Sequence, residues 1–244
     1  NDKNIFYNLL GDGSKWGINI SYTIQYKPEG LAQAFIIGEK FLSNSKCCLI
    51  LGDNLFYGSQ LTQKLNEIAS SNLGSTIFAY SVKDPERYGL VSFDKNGNAI
   101  NLDEKPSNPK TKCAVPGLYF YDETVVERAK KIKKSERGEY EITTLNQMYL
   151  NDGLLKVEIL GRGVAWLDTG TFDSLNDAST FIRTLENRQG LKVGCPEEIS
   201  WRNGWIDDNQ LEKLAQPLLK STYGNYLLDI LSKSSDDPLT DLKP

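Results

Sequence analysis

The sequence predicts an α/β fold in which a mostly parallel β-sheet is flanked by helices. Short apolar or alternating segments, typical of strands, occur in turn with longer amphipathic segments, typical of helices. One hairpin signal, Asn96-Gly97 between two alternating segments, is inserted into this order and predicts a type I′ turn. From Pro196 onward the pattern is helical apart from turns, which indicates a C-terminal helical subdomain.

The strands are predicted from two kinds of pattern. Residues 18–24 alternate Ile, Ile, Tyr and Ile with polar residues, as a half-buried strand does. Residues 47–51, "CCLIL", are continuously apolar, as strands of parallel sheets are. The same reasoning predicts further strands over 75–82, 115–122 and 154–160.

Helices are predicted between these strands, over 30–42, 62–70, 123–132, 142–151 and 172–186. Strands joined through helices favour a parallel sheet covered on both faces. We therefore expect an α/β domain over 1–194. A helical segment over 195–232 is expected at an oligomer interface, and a polar, proline-broken tail over 233–244 is expected to be disordered.

The composition excludes several classes of function. The chain has 28 basic and 32 acidic residues, a formal net charge of −4 and no long basic run, so a nucleic-acid or anionic-membrane partner is not expected. No apolar run reaches the roughly 18 residues of a membrane helix. The chain has no histidine, which excludes serine–histidine triads, cysteine–histidine dyads and histidine-ligated zinc.

The cysteines indicate the redox compartment of the protein, and the first residues indicate how the chain begins. The four cysteines, Cys47, Cys48, Cys113 and Cys195, have no CxxC spacing and are interpreted as reduced thiols of a cytoplasmic protein. There is no signal-peptide pattern. The chain opens without a methionine or a strand, and we expect it to begin inside a larger protein.

Two carboxylates follow apolar runs and are the first candidates for chemistry. Asp53 comes directly after "CCLIL", and Asp168 ends the apolar run of "GVAWLDTGT". Ligands of open parallel sheets bind outside the carboxyl ends of the strands, and Mg²⁺ favours one or two carboxylates completed by phosphates and water. The alternative is that each Asp is only a turn residue or a helix N-cap.

Three weaker signals accompany this pair. Pro28 and Gly30 precede a helix, where the backbone can approach a ligand closely, or they form a plain turn. Glu104 and Lys105 offer an acceptor and a cation, but they meet one ligand only if the strand bends there; otherwise they are a solvated pair. Arg137 can clamp a phosphate or make a capping contact.

The order of these segments resembles that of the glucose-1-phosphate thymidylyltransferases, sugar nucleotidyltransferases of deoxysugar biosynthesis. The resemblance runs from about Leu10 to about Leu228. It is carried by "GDGSKWGINISYTIQYKPEGLAQAF", "LILGDNLFYG", "DPERYGLVSFD", "LDEKP", "AVPGLYFYD", "RGEYEIT", "GRGVAWLDTGT" and "ENRQGLKVGCPEEI". The last two segments are more specific to this branch than "GLAQAF" and "LGDN", which related pyrophosphorylases share loosely.

The resemblance implies a Rossmann-like α/β fold, a homotetramer and a reaction. Glucose 1-phosphate attacks the α-phosphorus of dTTP in line, with Mg²⁺ stabilising charge, to give dTDP-glucose and pyrophosphate. Because the nucleophile is already an anion, the absence of histidine is compatible with this chemistry.

The resemblance also assigns roles to residues of this chain. The metal is held by Asp53 and Asp168. The thymine is read by Gln25 and the backbone of Gly30, in a pocket shaped by Pro28 and Leu31. The sugar pocket is formed by Asn54, Tyr88, Gly89, Glu104, Val115 and Trp166. The sugar phosphate is bound by Lys105 and Arg137, which are counted with the two aspartates as catalytic. A regulatory nucleotide site at a subunit interface is implied near Gly58, Arg162, Cys195 and Glu198.

The sequence departs from this family at several positions. The family's opening strand, its Gly-rich loop with an arginine, and a following lysine do not occur, so we expect the chain to lack at least one βαβ unit. Phe172 and Ser59 stand where the family usually has histidine, and Pro116 replaces a small hydroxyl residue. A non-catalytic relative that keeps the fold, or an enzyme that uses UTP, are the alternatives.

Overall fold

The computed structural model describes residues 3–233 of the 244-residue chain, so all but the first residue of the predicted tail lies outside the described part. Residues 25–180 form one compact unit. Residues 3–24 and 181–233 form another, and the division falls within the longest described helix. None of the helices within 3–233 combines the length and apolarity of a membrane span. The predicted domain boundary between residues 194 and 195 stays a prediction.

The unit over 25–180 contains two sheets and their flanking helices. Its strands are β1 Cys47–Ile50, β2 Asn54–Gly58, β3 Ser75–Ser81, β4 Gly89–Phe93, β5 Ala99–Glu104, β6 Cys113–Ala114, β7 Leu118–Tyr121, β8 Leu155–Ile159 and β9 Val164–Asp168. Its helices are α2 Gln33–Ile37, α3 Glu39–Leu42, α4 Leu61–Ser71, α5 Val125–Ala129, α6 Ile142–Asn151 and the first part of α7 Phe172–Gln189. The predicted helix over 30–42 is thus divided at Gly38.

The seven-stranded sheet is packed on both faces, which confirms the predicted α/β class. Side chains alternate between faces along β3 and β7. Ile77 and Tyr121 pack in one buried cluster with Leu145 of α6, whereas Phe78 and Phe120 pack in another with Ile68 of α4.

The predicted mostly parallel pairing is wrong for the described strands. Among residues 3–233 only β3 and β8 pair in parallel, and every other pair is antiparallel. β1, β3 and β8 do run in one direction, as the intervening helices imply. The chain passes from β3 to β7 through the β4–β5 hairpin and β6, without a crossover helix, so β7 returns between β1 and β3 in the opposite direction.

Two local predictions also need correction. Residues 18–24 form no strand: Ile18 N and Ile20 N donate to the backbone carbonyls of Gly13 and Asp12 instead of a neighbouring strand. The hairpin at Asn96-Gly97 is confirmed, but its turn is not type I′. Only Gly97 has a positive φ, 84°, while a type I′ turn needs two such residues.

The other unit is helical. It contains α1 Lys3–Leu10, the second part of α7, α8 Pro196–Arg202, α9 Asp208–Ala215 and α10 Thr222–Lys233. Its core is formed by Cys195, Ile206, Leu211, Ala215, Tyr226, Leu227 and Ile230. A capping box between Asp207 and Gln210 starts α9.

Candidate active site

A cavity of about 340 Å³ opens at one end of the sheet in the unit over 25–180. Most of the polar residues predicted to act on a substrate line it. Its lining includes five carboxylates and three cations: Asp53, Glu104, Glu139, Glu141 and Asp168, and Arg87, Lys105 and Arg137. Because the carboxylates outnumber the cations, the cavity favours an additional bound cation over a bare anion.

The two predicted aspartates meet at the start of a two-stranded ribbon. β2 and β9 pair antiparallel, and the first residue pair of the ribbon is Asn54 opposite Asp168. Asp53 directly precedes this pair, and its carbonyl accepts from Thr169 N at 2.8 Å and from Thr169 Oγ1 at 3.0 Å. Asp53 and Asp168 are therefore brought together, although Asp53 precedes β2 and Asp168 ends β9.

Their carboxylates fit a hard cation. Asp168 Oδ1 and Asp53 Oδ2 approach one point, the place that a Cβ on Gly170 would take, at 2.9 and 3.8 Å. No group of three or more His, Cys, Asp or Glu side chains within residues 3–233 is arranged as a metal site. Two carboxylates are a partial ligand set of the kind that Mg²⁺ completes with phosphate oxygens and water.

Asp168 also has partners within the chain. Its Oδ1 accepts from Gly170 N at 2.7 Å, and its Oδ2 accepts from Arg87 Nη2 at 3.2 Å and from the Tyr88 hydroxyl at 3.3 Å. Burial raises the pKa of Tyr88 to about 12, so its hydroxyl keeps its proton and donates. Both oxygens of the carboxylate are thereby held in fixed directions.

Asn54 connects the ribbon to the sheet. Its Oδ1 accepts from Trp166 Nε1 at 2.7 Å and from Gly117 N at 2.9 Å, while its Nδ2 donates to Asp53 Oδ1 at 2.8 Å. The Trp166 ring lies edge-on to Tyr88, with centroids 5.1 Å apart. One amide thus fixes an aromatic wall of the cavity and one of the two aspartates.

The chain bends at Lys105. Such a bend is the condition under which the Glu104 and Lys105 side chains can contact the same ligand. Glu104 ends β5 opposite Gly89, and the next residue has a φ of 41°, in the left-handed region that side chains rarely adopt. Both side chains line the cavity. Glu104 Oε2 accepts a hydrogen bond from Thr143 Oγ1, which fixes the carboxylate.

Arg137 faces three carboxylates. Its Nη1 lies 3.4 Å from Glu104 Oε1 and 3.6 Å from Glu141 Oε1, and its Nη2 lies 3.3 Å from Glu139 Oε1. The guanidinium is therefore aimed into the cavity rather than used to cap a helix. An incoming phosphate would exchange some of these contacts for its own oxygens.

The remaining predicted site residues fall into two groups. Leu31 and Val115 line the cavity together with Gly89, whereas Gln25, Pro28 and Gly30 are not among its lining residues. Gln25 Nε2 donates to Gly30 O at 3.2 Å, so the two predicted base-reading positions are neighbours. Gly30 has a φ of 101°, and a Cβ there would lie 2.5 Å from Tyr140 O, so only glycine fits.

Sequence reasoning missed four polar residues of the cavity. Arg87, Thr143, Glu139 and Glu141 line it, and none was selected from the sequence. Each lies within two residues of a predicted site residue or within the quoted segment "RGEYEIT". Their position within the quoted segments could have pointed to them, but most of their partners in the cavity are far away in the sequence.

The predicted regulatory residues lie in both units. Gly58 ends β2, and a Cβ there would lie 2.9 Å from Val164 Cγ2. Arg162 is exposed in the β8–β9 loop. In the helical unit Cys195 is buried at the N-cap of α8, and Glu198 accepts from Arg202 Nε at 2.8 Å and from the Tyr226 hydroxyl. Their regulatory role stays a prediction.

Comparisons with known proteins agree with this geometry. The family model described as nucleotidyl transferase matches residues 1–184. A glucose-1-phosphate thymidylyltransferase of Neisseria meningitidis serogroup A is 56% identical over 95% of this chain and 81% of its own length. One from Mycolicibacterium smegmatis is 59% identical over 95% of this chain and 80% of its own length.

Solved structures show the same fold. A Bacillus anthracis protein assigned as a glucose-1-phosphate thymidylyltransferase, solved with sucrose, is 34% identical with a TM-score of 0.68, over 79% of this chain and 74% of its own. A UDP-glucose pyrophosphorylase complexed with UDP-glucose has a TM-score of 0.60 at 19% identity, over 67% and 66% of the two chains. The second likeness concerns the fold alone.

Proposed function

Because the chain belongs to the nucleotidyl transferase family, we propose that it transfers a thymidylyl group from dTTP to glucose 1-phosphate. The products are dTDP-glucose and pyrophosphate. The observation that carries this proposal is that one cavity is lined by both Asp53 and Asp168 and by the Glu104, Lys105 and Arg137 group. Two relatives that match almost the whole chain are named for this activity.

The proposed reaction is an in-line displacement at phosphorus. An oxygen of the sugar phosphate forms a bond to the α-phosphorus of dTTP, and the bond from that phosphorus to the β-phosphate oxygen breaks. The electron pair leaves with pyrophosphate, and no proton must move because the nucleophile is an anion. Catalysis is then positioning and electrostatic stabilisation, for which histidine is not needed.

Asp53 and Asp168 are proposed to hold Mg²⁺ from one side of the cavity. When bound, the ion would neutralise charge on the transferring and leaving phosphates. The excess of carboxylates over cations in the lining supports this, because two anionic substrates would otherwise enter a negatively charged cavity.

The sugar phosphate is proposed to lie against Glu104, Lys105 and Arg137. Glu104 would accept from a glucose hydroxyl, and the hydrogen bond from Thr143 keeps its carboxylate oriented. Arg137 offers a fork of donors that suits phosphate, while Lys105 offers a point charge. Tyr88 and Trp166, in edge contact, would form the apolar side of the sugar pocket.

The base is proposed to be read by Gln25 and the Gly30 backbone, next to Leu31. Thymine and uracil share a hydrogen-bonding edge and differ by one methyl group, so only apolar contact separates dTTP from UTP. One methyl group in an apolar pocket corresponds to about 1–3 kcal/mol, or roughly 10- to 200-fold in kcat/KM. CTP exchanges an acceptor for a donor on that edge and should be rejected far more strongly.

The test is a pyrophosphate-release assay with glucose 1-phosphate and each nucleotide in turn, with the sugar nucleotide identified by mass spectrometry. We expect dTDP-glucose, a dTTP preference over UTP within that range, and little reaction with CTP. Gln25→Glu should lower kcat/KM for dTTP and for UTP by similar factors, because the amide donor is lost. Use of CTP at the rate of UTP would refute edge reading, and absence of any sugar nucleotide would refute the proposed activity.

Three further features of the proposal extend the family resemblance. We propose a homotetramer, a regulatory nucleotide site near Gly58, Arg162, Cys195 and Glu198, and a place in dTDP-deoxysugar biosynthesis. Cytoplasmic localisation follows from the proposed substrates. These features are supported by the resemblance and not by geometry.

A further inference from the structure

Arg87 lies beside the Asp168 carboxylate, and the proposed reaction gives it no role. Its Nη1 lies 2.9 Å from Asp84 Oδ2, and its Nη2 lies 3.2 Å from Asp168 Oδ2. The guanidinium carbon lies 5.3 Å from the centroid of the Tyr88 ring. Residues Pro85–Arg87 form a short 3₁₀ turn in which Arg87 N donates to Asp84 O at 3.3 Å. The local backbone therefore holds this cation next to Asp168.

Arg87 and a metal ion would compete for the same carboxylate. Mg²⁺ requires anionic oxygen at short distance with strict geometry, and Asp168 would supply that oxygen. A guanidinium 3.2 Å from one oxygen of this carboxylate lowers its effective negative charge and would lie within a few ångströms of a divalent cation. Attraction to Asp168 and repulsion from the ion therefore oppose one another at Arg87.

The pair has the properties of a contact that can be exchanged. The Arg87 side chain is 42% exposed and that of Asp168 is 19% exposed, so solvent screens the attraction between them. Asp84 remains bonded to the guanidinium if Asp168 is given up, so Arg87 would not be left as an unpaired charge. A buried, fully enclosed ion pair would lack both properties.

We propose that Arg87 is a displaceable counterion of the metal site: it neutralises Asp168 when no metal is bound and gives up that carboxylate when a divalent cation binds. This inference rests on the proposed function, because it takes Asp53 and Asp168 as the metal site. The consequence is that Arg87 lowers the affinity of the site for a divalent cation when no nucleotide is bound. Arg87 acts here through Asp168 and is a positioning residue.

The experiment measures binding of Mn²⁺ to the whole chain from the electron paramagnetic resonance signal of the free ion. No nucleotide is present, and the salt is about 0.15 M, where charges more than about 8 Å apart are screened. Arg87→Gln should bind Mn²⁺ about 2- to 5-fold more tightly than the wild type. This is the effect expected when a partly exposed guanidinium no longer competes with the ion for Asp168. Arg87→Lys keeps the charge but cannot bond both Asp84 and Asp168 as a fork. Its Mn²⁺ affinity should lie between those of the wild type and Arg87→Gln.

Lys105→Gln is the matched control for loss of positive charge from the same cavity, since within residues 3–233 Lys105 forms no ion pair with Asp53 or Asp168. It should change the Mn²⁺ affinity by less than half as much as Arg87→Gln. Equal effects of these two variants, or an unchanged affinity in a folded Arg87→Gln, would overturn the counterion role.

Asp168→Asn separates this inference from the proposed metal site. If the wild type binds Mn²⁺ and Asp168→Asn does not, the metal site is supported, and the Arg87 variants then decide the counterion role alone. If wild type and Asp168→Asn bind Mn²⁺ alike, Asp168 is not a ligand, and both the metal site and the counterion role are refuted.

Discussion

Glu197 of the C-terminal helices and Asp168 of the cavity differ in what their carboxylates can reach. Glu197 and Glu198 are buried in the first turn of α8, and each is bonded to a tyrosine of α10: the Tyr223 hydroxyl donates to Glu197 Oε2 at 2.6 Å, and the Tyr226 hydroxyl donates to Glu198. Burial raises the pKa of both tyrosines, so both remain donors. Asp168, by contrast, lines a cavity. It is paired with the partly exposed Arg87 guanidinium, which also contacts Asp84.

The difference shows how one functional group can serve structure or chemistry. A buried carboxylate whose oxygens are bonded within its own unit stabilises the fold, and its loss should cost stability. A carboxylate that faces a cavity and is paired with an exchangeable cation can accept a ligand, and its loss should cost activity. Five substitutions test this contrast, and they are considered from the largest expected effect to the smallest.

The largest effect is expected at the two aspartates. Asp53→Asn and Asp168→Asn should each lower kcat roughly 100-fold or more, because a neutral amide is a poor ligand for a hard cation at the point where charge develops. The thermal midpoint should change little, since both side chains face the cavity. Turnover near the wild-type value in either variant, measured at saturating Mg²⁺, would exclude that aspartate as a ligand.

Gly170→Ala should lower kcat by about 10- to 100-fold without removing any charge. The new Cβ would lie 2.9 Å from Asp168 Oδ1, so the carboxylate must move, and small displacements at a reacting centre are costly. Gly161→Ala is the matched control, because no atom lies within 4 Å of its new Cβ. Equal turnover of the two variants would show that the position of Asp168 is not critical.

Arg137→Lys should raise the KM for glucose 1-phosphate about 10-fold and leave the KM for dTTP nearly unchanged. Charge is kept, but one charge-assisted hydrogen bond of the fork is lost. Arg128→Lys, which alters an arginine paired with Asp152 outside the cavity lining, is the control. A rise confined to the KM for dTTP would mean that Arg137 binds the nucleotide.

Tyr223→Phe should have no measurable effect on turnover and should lower the free energy of unfolding by about 1–3 kcal/mol. The substitution leaves the buried Glu197 carboxylate without the hydroxyl that donates to it at 2.6 Å. Urea unfolding measures the loss, with Tyr26→Phe as the control because the Tyr26 side chain is 89% exposed. An unchanged free energy of unfolding would remove the structural role that contrasts with the cavity.

Part of the fold and of the site could be predicted from local pattern. Largely apolar runs located β3 and β7, whose residues are buried on both faces of the sheet, and alternating segments located the hairpin. The same logic located Asp53 and Asp168, where apolar runs end. The bend required between Glu104 and Lys105 could be stated in advance, although its φ of 41° could not.

The sequence by itself determined the α/β class, the approximate positions of β1, β3, β7 and β8, and the absence of imidazole chemistry, since each depends on residue type and short-range pattern. The tertiary structure decided the direction of β7, the failure of residues 18–24 to form a strand, and the contacts of Thr143 with Glu104 and of Arg87 with Asp168. The direction of β7 and the two side-chain contacts depend on partners tens of residues away. Ile18 and Ile20 bond to the nearby Gly13 and Asp12 because no strand within residues 3–233 pairs with them. Local pattern records which face is buried without recording which residue lies opposite it.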